Sequence, residues 1–354
     1  MRIEELPTPC LVVEEPLLME NLAIMNRAVQ NSPALLRPHY KTHKCPRLAQ
    51  LQIALGAKGM CCAKLSEAED LADAGIADIL IANQVVQPMK VRQLARLARR
   101  CHLTVCVDNE ENIDALSAAA KEAGSTIHLY VELDSGMNRC GVFTYEDVLR
   151  LAKYIETKAH LAFDGIQCYA GHLSHEAEEG VRVEESQALE TKLYGLVDYL
   201  KENGVTVKEI SGCSSGTALL KQEKTVYTEL QAGSYVYMDA SYNHLSLPFY
   251  NALTILGTVI SVTPYAVVTD MGMKACAVDQ GMPVYLGYPE DAEVRLSEEH
   301  GTIDGQYPDA RINDKIRMIP GHCCTTVNLY DALYLVRDGV VLEKWAITSR
   351  GKSQ

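Results

Sequence analysis

The sequence has no Cys-x-x-Cys pair, no long uncharged apolar run and no excess of basic residues. Without Cys-x-x-Cys spacing, a structural zinc knuckle is not expected. No apolar stretch is long enough to span a bilayer, and the start, MRIEELPTPC, has acidic residues where a secretion signal has basic ones. The net charge of -13 disfavours nucleic acid and anionic membranes as partners. These absences predict a cytoplasmic protein that acts on small molecules.

The twelve cysteines do not follow the spacing of a disulfide framework. Cys61–Cys62 and Cys323–Cys324 are adjacent pairs, and the other cysteines are scattered through apolar stretches. Cysteines in this arrangement are typical of reduced, buried thiols, as in cytosolic proteins.

Strand and helix patterns alternate over the first two thirds of the chain. Helical stretches include Thr144–Thr157, which begins with a capping residue, and a helix with a predicted capping box at Ser66–Glu69. Eight strands are predicted between them, at residues 35–40, 59–63, 78–82, 103–108, 127–133, 164–169, 207–212 and 227–231. Alternation of this kind gives parallel strands with right-handed crossovers, and eight repeats predict a closed (β/α)₈ TIM barrel, an α/β fold.

The pattern changes after Asp239. β-Branched runs such as Leu253–Val262 and Ala266–Thr269 alternate with turn residues, and helical periodicity mostly disappears. The sequence therefore predicts a barrel over residues 14–242 and a mainly-β domain over residues 243–354. Residues 1–13 are predicted to belong to the mainly-β domain. No long flexible linker separates them, so the two domains are expected to pack together.

The segment Arg37-Pro38-His39-Tyr40-Lys41-Thr42-His43-Lys44 concentrates basic side chains at the predicted end of the first barrel strand. Pro38 favours an extended chain before it, which puts Lys41 at the C-terminal mouth of the barrel. Neighbouring positive charges lower the pKa of a lysine amine, and the neutral amine is the form that bonds to an aldehyde. The alternative is a solvated basic loop without a chemical role.

Polar residues also follow the later barrel strands, where barrel enzymes build their sites. Arg139 lies in ELDSGMNRCG after the fifth strand, and Tyr169 and His172 follow the sixth. Small hydroxyl residues and glycines follow the seventh and eighth strands, where such barrels hold a phosphate on backbone N–H groups. Singly, these are ordinary turns or surface ion pairs. Together with a lysine after the first strand, they indicate a pyridoxal phosphate barrel.

Several motifs resemble those of the fold-type III pyridoxal phosphate enzymes, specifically the D-serine dehydratase and D-threonine aldolase group, which is related more distantly to alanine racemase. They extend over nearly the whole chain: LPTPCLV, RPHYKTHK, ELDSGMNRCG, QCYAGH, SGCSSGT, TELQAGSY, SEEHG and PGHCCTTVN. The resemblance implies an alanine racemase-like fold, a small D-amino acid as substrate, and a homodimer.

The resemblance also assigns roles to residues. It implies that Lys41 bonds covalently to pyridoxal 5'-phosphate, that Arg139 contacts the phenolic oxygen of the cofactor, and that Tyr169 and His172 lie at its ring. Gln231 stands about where alanine racemases have an arginine facing the pyridine nitrogen, and a neutral amide there implies a modest electron sink. The residues implied to hold the phosphate are Ser214, Ser215, Gly216, Thr217, Gly233 and Ser234.

His322 and Cys324 offer an imidazole and a thiolate, two ligands that zinc prefers. Two ligands alone equally fit a buried turn with packed thiols, and Cys323 is an alternative ligand. In the resembling family this segment holds a divalent metal beside the cofactor, with zinc expected first and manganese second. His-x-Cys is typical of the dehydratase branch, and His-x-Asp of the aldolase branch. Glu298, Glu299 and His300 match a family segment to which no role is assigned.

These assignments predict a lyase, a D-serine dehydratase that eliminates water from 3-hydroxy D-amino acids to give a 2-oxo acid and ammonia. The main alternative is a metal-activated D-threonine aldolase, which breaks the Cα–Cβ bond to give glycine and an aldehyde. A racemase and a non-catalytic pyridoxal phosphate-binding protein are further alternatives, because they would use the same barrel.

Overall fold

The computed structural model describes residues 1–221, 223–289 and 291–354. They form two compact units. The barrel unit comprises Met25–Lys41, Leu48–Gly233 and Lys352–Gln354, and the β unit comprises Met1–Ile24, Thr42–Arg47 and Ser234–Gly351. The domain boundaries predicted from the sequence, between residues 13 and 14 and between residues 242 and 243, stay a prediction.

The chain begins with β1 (Cys10–Glu14) and α1 (Glu15–Gln30) and then enters the barrel. Eight parallel strands follow, β2 (Leu35–Leu36), β3 (Met60–Cys62), β4 (Asp78–Ile81), β5 (His102–Val107), β6 (Ile127–Glu132), β7 (Leu161–Cys168), β8 (Glu209–Gly212) and β9 (Glu229–Leu230). Their order is β2-β9-β8-β7-β6-β5-β4-β3. A parallel bridge between His39 and Cys61 joins the two ends of this sheet, so the predicted (β/α)₈ barrel is confirmed.

Helices separate the barrel strands: α2 (Pro46–Ala54), α3 (Leu65–Asp73), α4 (Pro88–Leu97), α5 (Glu110–Ala123), α6 (Tyr145–Glu156) and α7 (Glu179–Glu202). The hydroxyl of Thr144 caps α6 by accepting from the Asp147 backbone N–H at 3.1 Å, as predicted. The capping box predicted at Ser66–Glu69 is wrong, because α3 already begins at Leu65. Glu67 instead accepts from the backbone N–H groups of Ala63 and Lys64, at 2.7 and 3.2 Å.

The interior of the barrel is filled by small and aromatic side chains rather than being open. Cys61, Leu80, Cys106 and Tyr130 form one buried cluster there. All twelve cysteines lie in the described part of the chain and are free thiols, as predicted. Burial raises the pKa of the Cys61 thiol to about 12, so it stays protonated and packs as an apolar group. No helix within the described ranges is both long enough and apolar enough to cross a bilayer.

The β unit is mainly β, as predicted. Its elements after the barrel are β10 (Leu253–Val262), β11 (Ala266–Thr269), β12 (Val284–Tyr285), β13 (Val294–Leu296), β14 (Gly301–Asp304), β15 (Lys315–Ile319), α8 (Cys323–Val327), β16 (Ala332–Arg337) and β17 (Val340–Ala346). The main path of its sheet runs β13-β14-β11-β10-β1-β16-β17, and β15 pairs with β10 and β12. Because β1 pairs with both β10 and β16, residues 10–14 complete this sheet.

Candidate active site

Lys41 lies just beyond the first barrel strand. The strand was predicted to reach Tyr40, but residues Tyr40–Thr42 form a 3₁₀ turn after the bridge at His39. The Tyr40 hydroxyl donates to Asp70 at 2.6 Å, and the Lys41 backbone N–H donates to His39 Nδ1 at 3.3 Å. These bonds fix the turn, so the amine extends from a rigid segment at the C-terminal mouth of the barrel.

A cavity of about 310 Å³ at this mouth brings together four residues predicted for the cofactor, Lys41, Arg139, Tyr169 and Gln231. The Tyr169 ring lies near two basic side chains. Lys41 Nζ is 5.7 Å and Arg139 Cζ 5.3 Å from its centroid, both within the range of a cation–π contact. The strand ends and the family resemblance together therefore indicated four of the residues that line this cavity.

The loop after β6 turns back so that Arg139 reaches the cavity. Gly141 has a φ of +102°, and a Cβ there would lie 2.8 Å from the backbone N of Asp134, so this return requires glycine. Arg139 Nη2 is 3.7 Å from Glu132, whose other oxygen accepts from Gln84 at 2.6 Å. Burial raises the pKa of Glu132, although Gln84 and Arg139 act in the opposite direction.

Gln231 belongs to a buried, uncharged network at the base of the cavity. Its Nε2 donates to Gln167 Oε1 at 2.6 Å and to Ser211 Oγ at 2.8 Å. The Gln231 side chain is therefore fixed by neutral partners. Gln167 was not predicted from the sequence, because a glutamine inside a strand carries no motif.

The turn predicted to bind phosphate follows β8. Thr217 Oγ1 accepts from the Ser214 backbone N–H at 3.1 Å, which tightens the turn. A Cβ at Gly216 would lie 2.2 Å from the carbonyl oxygen of Ser174, and the Ser174 hydroxyl is 3.4 Å from the hydroxyl of Tyr169. Ser215 is buried within the same turn. Ser174 thus lies between this turn and Tyr169, contacting Gly216 through its backbone and Tyr169 through its hydroxyl.

Other predicted residues lie elsewhere. His172 lines a second cavity, of about 370 Å³, together with Ser135, Phe143 and Lys192. Its predicted place against the cofactor ring stays a prediction. Gly233 follows β9 and ends a segment of the barrel unit, whereas Ser234 begins one in the β unit.

The charge expected around Lys41 is smaller than the sequence suggested. Arg37 donates to Asp78 at 2.8 Å and to Glu229 at 2.7 Å, and its side chain is 2 % exposed. Asp78 and Glu229 are the first residues of β4 and β9, so this guanidinium lies at the opposite end of the barrel. The prediction that Arg37 crowds the lysine is therefore wrong, because Arg37 instead pairs with the partly exposed Asp78 and the buried Glu229.

In the β unit, His322 precedes α8 and contacts both Asp279 and Cys324. Its Nδ1 is 2.7 Å from Asp279 Oδ2, and the Thr325 hydroxyl donates to Asp279 Oδ1 at 2.7 Å. Burial lowers the pKa of His322, but the contacts with Cys324 and Asp279 outweigh it and raise this pKa to about 9. Asp279 was missed from the sequence, because it lies in an irregular loop far from the His-x-Cys segment.

The two neighbouring cysteines of this segment differ in exposure. Cys324 is partly exposed, and its Sγ is 3.3 Å from Thr42 Oγ1 and 3.7 Å from Ser234 Oγ. Cys323 is fully buried, and its backbone N–H donates to Asp239 at 2.7 Å. Cys324 is therefore the thiol that pairs with the His322 ring.

The segment at residues 298–300 has a simple surface role. Lys274 Nζ lies 2.8 Å from Glu299 and 3.3 Å from Glu298, and all three side chains are largely exposed. Exposed pairs of this kind contribute about 0–1 kcal/mol to stability.

Comparisons with known proteins agree with this geometry. Residues 16–241 match the model of the alanine racemase N-terminal domain, and residues 252–336 match the serine dehydratase domain. The chain is 37% identical to 3-hydroxy-D-aspartate aldolase of Paracoccus denitrificans and 38% identical to D-threonine aldolase of an Arthrobacter species. In both cases the match covers 98% of this chain and 93% of the relative. A crystal structure of D-threonine aldolase from Filomicrobium marinum superimposes with a TM-score of 0.95 at 35% identity, covering 99% of this chain and 98% of that one.

Dehydratases of the same group are less similar. D-threo-3-hydroxyaspartate dehydratase of a Delftia species is 29% identical over 95% of this chain and 96% of that protein. D-serine dehydratase of Dictyostelium discoideum is 24% identical over 95% of each chain. The chain thus belongs to the fold-type III pyridoxal phosphate enzymes with an alanine racemase-like fold, in the group of D-threonine aldolases and D-serine dehydratases, and it is a lyase.

Proposed function

We propose that this protein is a pyridoxal phosphate- and metal-dependent aldolase for 3-hydroxy D-amino acids, which it cleaves to glycine and an aldehyde. One observation carries the choice of reaction. Identity is 37–38% to two aldolases, against 24% and 29% to two dehydratases, over nearly the same length of chain. This reverses the preference drawn from the His-x-Cys pair, because two residues weigh less than the whole length of the chain.

The residues of the barrel mouth fit the cofactor. The cavity of about 310 Å³ is within the range of small-ligand sites and contains one lysine amine and one guanidinium. The turn at residues 214–217 packs on Ser174, because a Cβ on Gly216 would meet the Ser174 carbonyl oxygen at 2.2 Å, and the Ser174 hydroxyl is 3.4 Å from that of Tyr169. A lysine to bond an aldehyde, an aromatic ring and a compact hydroxyl-rich turn are the groups that pyridoxal phosphate requires.

Pyridoxal phosphate supplies the electron sink for the bond that breaks at Cα. We assign to Lys41 Nζ the covalent attachment and the proton transfer at Cα, since its turn is held by Tyr40 and His39. To Arg139 we assign the phenolic oxygen, and to Ser214–Thr217, Gly233 and Ser234 the phosphate. Gln231, whose own partners are uncharged, would face the pyridine nitrogen and would offer it no strong acid.

His322 and Cys324 are the proposed metal ligands. A divalent metal supplies a Lewis acid for the β-hydroxyl group of the substrate, and zinc is the ion that one imidazole and one thiolate favour. Asp279 holds His322 Nδ1 at 2.7 Å, which leaves the other ring nitrogen for the metal on the side of Cys324.

A dehydratase is the second candidate, and Cys324 is the observation that favours it. A cysteine-to-alanine mutant of the Delftia dehydratase is described in a metal-free form. That description mentions a cysteine and a metal together, and this chain has a thiol, Cys324, beside His322.

Product analysis separates the two reactions. The purified protein, loaded with pyridoxal phosphate and zinc or manganese, is incubated with D-threonine, D-3-hydroxyaspartate, D-serine and L-threonine. We expect glycine and an aldehyde from the first two, nothing from the L-isomer, and loss of activity with a chelator. Ammonia and a 2-oxo acid without glycine would overturn the aldolase proposal in favour of the dehydratase.

A further inference from the structure

A cluster of two histidines and one aspartate lies at the end of the barrel opposite Lys41. His102 is the first residue of β5, and His128 is the second residue of β6. Asp164 lies in β7, and these three strands are neighbours in the sheet. The nitrogen or oxygen ligand atoms of the three side chains all lie within 4.8 Å of one another.

The position of Asp164 results from an irregularity in the sheet. Leu129 pairs with Phe163 and Tyr130 with Gly165, so Asp164 is an extra residue that faces no partner on β6. Bulges of this kind redirect a side chain out of the regular alternation of a strand. The carboxylate here meets His128, with 2.5 Å between Asp164 Oδ2 and His128 Nδ1.

The charges in the cluster suit a cation. Burial raises the pKa of Asp164, but hydrogen bonds from His128 and Lys208 outweigh it and lower this pKa to about 2, so the carboxylate is ionised near neutral pH. Burial, followed by the neighbouring His128, lowers the pKa of His102. Lys208 Nζ binds the other oxygen, Asp164 Oδ1, at 2.7 Å, so Oδ2 is the oxygen directed to the histidines.

The ligand set is that of a three-ligand zinc site, and a bound ion would replace the direct contact of 2.5 Å between His128 Nδ1 and Asp164 Oδ2. Two imidazoles and one carboxylate form a set that zinc takes with one open position, and bonds of about 2.0–2.1 Å put tetrahedral ligand atoms about 3.3 Å apart. The ring centroids of His102 and His128 are 3.9 Å apart. Because His102 is exposed, a rotation of its ring is the movement that closes the set.

We propose that His102, His128 and Asp164 form a second metal site, for Zn²⁺ or a chemically similar ion such as Co²⁺, which links the beginnings of three neighbouring strands. It lies at the N-terminal end of the barrel strands, away from the cavity that contains Lys41, and it is independent of His322 and Cys324. Its role is structural, because a bound ion would hold β5, β6 and β7 together.

The test uses the full-length chain with the other proposed site removed, as the variant His322→Ala/Cys324→Ala. This reference protein is titrated with Co²⁺, followed by its visible absorbance, and with Zn²⁺, followed by calorimetry. We expect one equivalent of each metal and a higher melting temperature with zinc. Adding His102→Ala or His128→Ala is expected to weaken binding by about 100-fold or more, since both remove a direct ligand.

His160→Ala in the same reference protein is the matched control. His160 is an exposed histidine just before β7, and its ring bonds to the Ser125 carbonyl instead of the cluster. Binding is expected to be unchanged in this variant. His102 is exposed, and His102→Ala leaves the His128–Asp164 contact in place. Loss of metal binding in this variant is therefore not a folding defect. The proposal would be overturned if the reference protein did not bind one equivalent of metal. It would also be overturned if metal binding survived both His102→Ala and His128→Ala.

Discussion

Removing the carboxylate of Asp279 is expected to weaken metal binding at His322. The carboxylate makes two bonds of 2.7 Å, one to His322 Nδ1 and one from Thr325 Oγ1. Groups that orient a metal-binding histidine typically change metal affinity by about 10–100-fold when removed. Because the Asp279 side chain is 47% exposed, we expect the lower part of this range for Asp279→Ala, about tenfold, or about 1.4 kcal/mol. Asp279→Asn keeps an oxygen acceptor but loses the charge, so its effect is expected to be smaller.

Competition with a chromophoric chelator measures this affinity without any catalytic assay. The experiment uses cofactor-free protein carrying His102→Ala, so that the cluster at the other end of the barrel does not contribute. Thr325→Val is the matched control, because it removes the second bond of Asp279 but not the first. If Asp279→Ala binds zinc as tightly as the parent while His322→Ala does not, the orienting role is refuted. If His322→Ala also binds normally, the metal ligand itself is wrongly assigned.

Three further outcomes are expected. Lys41→Ala should lose the visible absorbance of covalently bound cofactor and all turnover, and a retained band would contradict its role as the attachment point. Glu229→Gln should lower the free energy of unfolding by about 3–5 kcal/mol in urea melts, because it removes a buried negative charge that compensates Arg37, whose side chain is 2 % exposed; a loss below about 1 kcal/mol would contradict this. The pKa of Asp164 is lowered to about 2, so its stabilisation is complete above its ordinary pKa and is lost as the pH falls towards 2. In metal-free protein, Asp164→Asn should therefore cost roughly 2 kcal/mol at pH 7, and a difference from the parent that persists at pH 2 would contradict it.

The sequence by itself determined the barrel, because both of its signals are local. Strand and helix periodicity depend on near neighbours, and so the eight predicted strands each overlap an observed one. The same holds for Lys41, Arg139, Tyr169 and Gln231. In a parallel barrel the residues just beyond the strands lie at the same mouth, so the strand ends, together with the family resemblance, were enough to group them.

Only the tertiary structure decided the partners of those residues. Arg37 looked like one of the charges around Lys41, yet it pairs with Asp78 and Glu229, which are distant in the chain. Asp279 beside His322, and the bulge that directs Asp164 to His128, likewise have no spacing rule. Such contacts depend on the three-dimensional register of separate segments. The sequence pattern predicts to which face of its own strand a side chain points. It does not predict which charged residue from another segment will contact that side chain.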